Sequence, residues 1–211
     1  MHLRVKMLAA ILVITGAWMP RSFGQQLPTR SEPTRMVQLD RLDMAAILAS
    51  IAADYQTTIG LEVDPAKPRS QITLELRDVN FQQILDGIVN AEPKYRWREN
   101  DGSIEVFPVS GGSSLLDTPI RSFQVKEVNR ALAVNRLLGL PEVQAMFSSM
   151  NLKLRPPSPP SDRVKDEKLS LDLSAVTLRQ ALNRIATDSG AWFWAFRRYA
   201  DGTFEITMAS F

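Results

Sequence analysis

The 211-residue chain has no cysteine and a single histidine, His2. Without cysteine there are no thiolate nucleophiles, cysteine-zinc sites or disulfides. No two glycines stand three residues apart. That excludes the Gly-x-x-Gly loop with which a KH-type domain approaches a phosphate backbone. The P-loop and the dinucleotide fingerprint are absent as well. The longest apolar run, Met7–Trp18, is too short to span a bilayer as a stable helix. The length suits one or two small domains and is too short for a transporter barrel with its plug or for a secretin pore subunit. The hydrophobic share of 45% is ordinary and predicts a packed core.

Residues 1–24 read as a signal peptide, and the expectation is cleavage and release to the periplasm of a Gram-negative bacterium. Arg4 and Lys6 precede the apolar run and Pro20 breaks it. Ser22 and Gly24 supply the small residues expected before a cut at Gln25. Cleavage takes His2 with it, so Ser-His-Asp triads, His-zinc sites and His general bases are excluded together. Loss of Arg4, Lys6 and Arg21 leaves 22 basic side chains against 23 acidic ones. The sequence pI of 9.0 is thus partly a property of the leader, and nothing in the net charge points to nucleic acid.

The chain repeats itself. ITLELRDVNFQQILDGIVN (72–90) aligns without a gap on LSLDLSAVTLRQALNRIAT (169–187) at a shift of 97 residues. Self-similarity at such a period marks a repeated structural unit. Leu74, Leu76, Leu85 and Ile88 fall on Leu171, Leu173, Leu182 and Ile185. The likeness continues through Tyr95 and Trp97 against Trp192 and Trp194, and through the Asp101-Gly102 and Asp201-Gly202 turns. All twelve of these apolar and aromatic residues are expected in the core.

Each repeat resolves into local elements. Alternation at Ile72, Leu74 and Leu76 marks a half-buried strand. Asn80 with Gln83, and Thr177 with Gln180, fit capping boxes that open helices with apolar positions at 81, 84, 85, 88 and at 178, 181, 182, 185. Asp-Gly then suits a tight hairpin turn. Upstream, Asp43 caps a helix over Met44–Tyr55, flanked by strands. The second unit has a helix from Arg130, interrupted at Gly139, and Pro141 starts another. The predicted class is therefore α+β: two tandem βαββαββ domains, each with two helices packed on small sheets. Residues 25–35 read as a disordered mature N-terminus, 36–109 as the first domain, 110–119 as a linker and 120–211 as the second, divergent domain. VSGGSSLLDTP (109–119) is expected to be a flexible joint, and PPSPPSDRVKDEK (156–168) an extended loop.

VQLDRLDMAAILASIAADYQTTIGLEVDP (37–65) and QITLELRDVNFQQILDGIVNAEPKYRWRENDGSIEVFP (71–108), after a signal peptide, resemble the secretin and TonB short N-terminal (STN) domain. The resemblance is good over 36–109 and weaker over 120–211. It implies a periplasmic domain beside an outer-membrane secretin or TonB-dependent receptor, one that binds proteins and is not catalytic. No barrel, plug or secretin core follows, which favours a free-standing adaptor. The expected partner is a secretin, receptor or signalling protein, with no cofactor, metal or nucleic acid.

Two side-chain groups frame the functional expectation. Trp192, Trp194 and Phe196 alternate, so in a strand they share one face, as Tyr95 and Trp97 do in the first repeat. Core packing accounts for them; if they were exposed, they would form a platform for cell-wall or glycan binding. Lys94, Arg96 and Arg98 occupy the opposite strand face and are the candidate protein-binding residues. A carboxylate- or Ser/Lys-dependent hydrolase is the remaining alternative. Its candidate acids, Asp64, Asp78, Glu105, Asp162 and Glu205, are scattered in sequence, and a catalytic pair needs a cleft that fixes its separation.

Overall fold

The computed structural model describes residues 35–65, 71–110, 112–155 and 168–209. The expected signal peptide (1–24), residues 25–34, Asp162 and nearly all of both proline-bearing loops lie outside the described residues. Within them the fold is α+β, with five helices and ten strands. The first half runs β1 (Arg35–Asp43), α1 (Met44–Tyr55), β2 (Ile59–Val63), β3 (Gln71–Val79), α2 (Phe81–Ala91), β4 (Tyr95–Asn100) and β5 (Ser103–Pro108). The second runs β6 (Pro119–Val128), α3 (Arg130–Leu138), α4 (Pro141–Ser149), β7 (Lys153–Leu154), β8 (Leu169–Thr177), α5 (Leu178–Asp188), β9 (Phe193–Arg198) and β10 (Thr203–Ala209). The two orders match, with α4 inserted.

Local chemistry sets the boundaries. The Asp43 carboxylate accepts from the Ala45 N–H at 2.9 Å, and both capping boxes form, Asn80 with Gln83 and Thr177 with Gln180. Each cap satisfies helix N–H groups that have no partner within the helix. The repeat extends to backbone irregularities. Arg41 and Glu127 both have φ near 49°, uncommon without glycine. The Arg41 N–H donates to Thr73 Oγ1 at 3.2 Å and the Glu127 N–H to Ser170 Oγ at 2.9 Å. Thr73 and Ser170 are 97 residues apart, as are Asp78 and Ala175, both at φ 54°.

β1 with β3, and β6 with β8, form two-stranded antiparallel ribbons. The hairpins do not build separate sheets. They merge into one sheet of order β4-β5-β2-β9-β10-β7. β4 is antiparallel to β5, which is parallel to β2; β2 is parallel to β9; β9 is antiparallel to β10, which is parallel to β7. The second half thus repeats the first with its strands reversed. Its helices also lie on the opposite face of the sheet, so the relation is a pseudo-twofold screw along the sheet. Two cores result. Phe193 and Ala195 of β9 pack with α1 and α2, whereas Trp194 and Phe196 pack with α3, α4 and α5.

Several expectations are corrected. The 110–119 segment is not a free joint: Leu115 and Leu116 are fully buried. The carbonyls of Thr118 and Leu116 accept the N–H groups of Leu178 and Arg179 at 2.9 and 2.8 Å, so this segment closes the N-terminus of α5. Trp192 does not share a face with Trp194. It precedes β9 with φ 56° and packs, half-buried, on the first half's core. Leu74, Leu76, Leu173 and Trp97 are half-buried, because two-stranded ribbons and an outer strand have cover on one side only. Leu85, Ile88, Tyr95, Leu171, Leu182, Ile185 and Trp194 are buried as expected.

Candidate functional site

Strand β4 ends the sheet. The Val109 N–H donates to the Lys94 carbonyl at 2.7 Å, and the antiparallel register with β5 pairs Arg96 with Phe107 and Arg98 with Glu105. Alternation therefore turns the backbone groups of Trp97 and Glu99, and the Tyr95 carbonyl, away from β5. No strand pairs with that edge among the described residues.

The three predicted binding residues do not act alike. Lys94 and Arg96 are exposed. Arg98 is not a free charge: its guanidinium holds Glu105 Oε2 at 2.6 Å and lies 5.1 Å from the Phe107 ring centroid. Arg197 and Glu205 pair likewise in the other hairpin at 3.3 Å. Trp97 adds to the anchoring by donating Nε1–H to Asp86 at 2.8 Å.

The equivalent edge of β9 is occupied. Trp192, Trp194 and Phe196 turn their backbone groups to β2, starting with the Ile59 N–H donating to the Trp192 carbonyl at 2.8 Å. Behind that edge, Trp194 Nε1–H donates to Asn183 at 2.7 Å and its ring lies against Gly60, where a Cβ would strike the indole. Thr58 and Thr187 share a hydrogen bond of 2.6 Å, and Gln180 reaches Asp101 at 2.8 Å. Arg179, Asn183 and Thr187 thus form a stripe at i, i+4 and i+8 along which α5 meets the first half.

At the head of that stripe is a charge cluster the sequence reading missed. Arg179 is 4% exposed. It approaches Glu62 Oε2 at 3.2 Å, Asp117 Oδ1 at 3.5 Å and Glu105 Oε2 at 3.9 Å. Glu62 and Glu105 are 5% and 0% exposed. Arg179 Nε and Nη1 have no hydrogen-bond partner among the described residues. Burial raises the Glu62 pKa above its ordinary carboxylate value; the Arg179 charge and hydrogen bond and a backbone hydrogen bond from Ser113 work against that rise. In the sequence Glu105 is one of several scattered acids. The signal in the sequence was the polar stripe Arg179, Asn183, Thr187 on a helix already amphipathic through Leu178, Ala181, Leu182 and Ile185.

The cluster spans the two halves: Arg179, Glu62 and Glu105 are buried in it, and Asp117 reaches it from the surface. Of the aromatic run, Trp194 and Phe196 are buried and Trp192 is half-buried, packed on the first half's core. No family model matches the chain, and no curated protein or solved structure matches it either.

Proposed function

We propose that the protein is a non-catalytic periplasmic adaptor that binds a protein partner by strand addition at β4. The observation that carries this reading is the unpaired edge of β4, set beside the equivalent edge of β9, which takes a strand within the same molecule. Main-chain hydrogen bonds at such an edge supply affinity, and alternate side chains supply specificity. Exposed Lys94 and Arg96 steer an acidic partner and discourage pairing between copies, since like charges would face each other. The resemblance of 37–65 and 71–108 to STN domains and the leader-like residues 1–24 support a place beside an outer-membrane secretin or TonB-linked system.

The test is a photo-crosslinking residue at position 94 or 99 of the full chain, expressed in its own bacterium. The expected result is a chain beginning at Gln25, in the periplasmic fraction, with adducts to an identifiable secretin, receptor or signalling component. An uncut chain, or one that forms no adduct from either position, defeats the reading.

A further inference from the structure

Inside the molecule the second half seats the first with three features: the outward backbone groups of β9, the polar stripe of α5, and an indole held by a helix side chain behind them. The first half repeats all three on its outer side. β4 presents the backbone of Tyr95, Trp97 and Glu99. α2 carries Gln82, Asp86 and Asn90, each 97 residues before Arg179, Asn183 and Thr187, and all three are exposed. Trp97 reaches Asp86 as Trp194 reaches Asn183, eleven residues apart in both cases. The two surfaces differ in charge. Where β9 turns Phe193 and Ala195 toward the neighbouring core, β4 turns Arg96 and Arg98, with Lys94 just before it.

Resting on the strand-addition reading above, we infer that this surface is an open copy of the internal junction and that it seats an acidic strand of another protein, parallel to β4. The direction follows from the junction, where β2 runs parallel to β9 against the same backbone groups. The side-chain pattern follows from register. Residues beside Lys94 and Arg96 are acidic. The alternate ones, beside Tyr95 and Trp97, are small or apolar, as Gly60 is beside Trp194. A second copy of this chain does not fit through the same sheet. Among the described residues the other free edge of the six-stranded sheet, β7, has two residues and is followed by Arg155, Pro156 and Pro157; proline cannot donate to a ladder. Pairing β4 with β4 would set two basic rows against each other.

The experiment uses the full mature chain and a fluorescent nine-residue peptide of alternating glutamate and valine, with glycine for the central valine. Binding is read by fluorescence polarisation and by backbone NMR. Binding is expected to weaken about tenfold or more in Arg96→Glu, equivalent to about 1.4 kcal/mol, and to fall with salt. N-methylating the glutamates keeps the charge but blocks the N–H groups that face β4, as the Ile59 N–H faces β9. Binding should then be lost. A nitroxide at the peptide N-terminus should broaden the Tyr95 amide more than that of Asn100, with shifts also at Gln82 and Asp86. Equal binding of the methylated peptide, or the reverse broadening, overturns the inference. If crosslinked adducts form but the peptide does not bind, the adaptor stands and the parallel acidic strand falls. Peptide binding without adducts keeps this site and removes the adaptor.

Discussion

Helices α5 and α2 occupy the same place in their repeats, share a capping box and share an apolar face, yet they meet different surroundings. On α5, Arg179 and Asn183 are buried and Thr187 is half-buried along the junction; on α2, Gln82, Asp86 and Asn90 face solvent. The first residue of the stripe marks the difference. Arg179 is charged, buried and ringed by Glu62, Glu105 and Asp117, whereas Gln82 is neutral and exposed. The comparison teaches that in a repeated fold the apolar pattern sets the unit, and a few polar positions decide which copy of a surface is used internally. Removing one member of a buried charged group leaves the others uncompensated, so the internal junction is sensitive to single changes in a way the outer surface is not.

The sharpest way to break the comparison is to change Arg179 and Gln82 to methionine in parallel. Arg179→Met is expected to cost about 3–5 kcal/mol, because Glu62 and Glu105 stay buried. Gln82→Met should fall within about 0.5 kcal/mol of wild type. Urea unfolding midpoints decide, and equal costs would mean that the cluster does not hold the halves together. Next come Leu85→Ala and Leu182→Ala, equivalent core residues at 1% and 0% exposure. Each should cost on the order of 2–5 kcal/mol, and a loss near 1 kcal/mol or less at either would end the equivalence. Gly60→Ala sharpens the picture of the junction. A Cβ there runs into the Trp194 ring, so a loss of roughly 1–3 kcal/mol is expected from overpacking, with quenched or shifted tryptophan emission as a second readout.

The smallest expected effect concerns pH. The folded-state pKa of Glu62 is raised by burial above 4.5. Its contribution to stability is therefore fully present below about pH 4.5 and is lost as pH rises through the folded value. The urea midpoint of wild type should carry a downward component across that window that Glu62→Gln lacks. Parallel profiles for the two proteins would show that Glu62 does not titrate differently on folding.

Much of the fold was legible because its causes are local. Asp43, Asn80 and Thr177 cap their helices through side chains two or three residues from their targets, and the 97-residue repeat fixed the order of elements. The junction was not legible. Arg179 and Glu62 are 117 residues apart, and nothing near either one announces the other. Gly111, Gly112, Ser113 and Ser114 punctuate the chain so strongly that Leu115 and Leu116 were assigned to a linker, although they anchor the start of α5. For the candidate site, the alternation of Lys94, Arg96 and Arg98 makes the basic row legible. Its division into two exposed charges and one held by Glu105 depends on a hairpin register that composition does not fix.

The place of β2 and β9 at the middle of the sheet has a consequence for how the molecule opens. Backbone amides exchange with solvent through local openings whose cost rises with the contacts that must be broken. Ile59, Leu61 and Trp194 are sealed on both faces and bonded on both edges. Their amides should be the slowest to exchange, and those of the two ribbons and β7 the fastest. Opening then proceeds from the periphery inward. The boundary between the two sequence repeats, where a two-domain chain would ordinarily come apart first, is the last part to admit solvent.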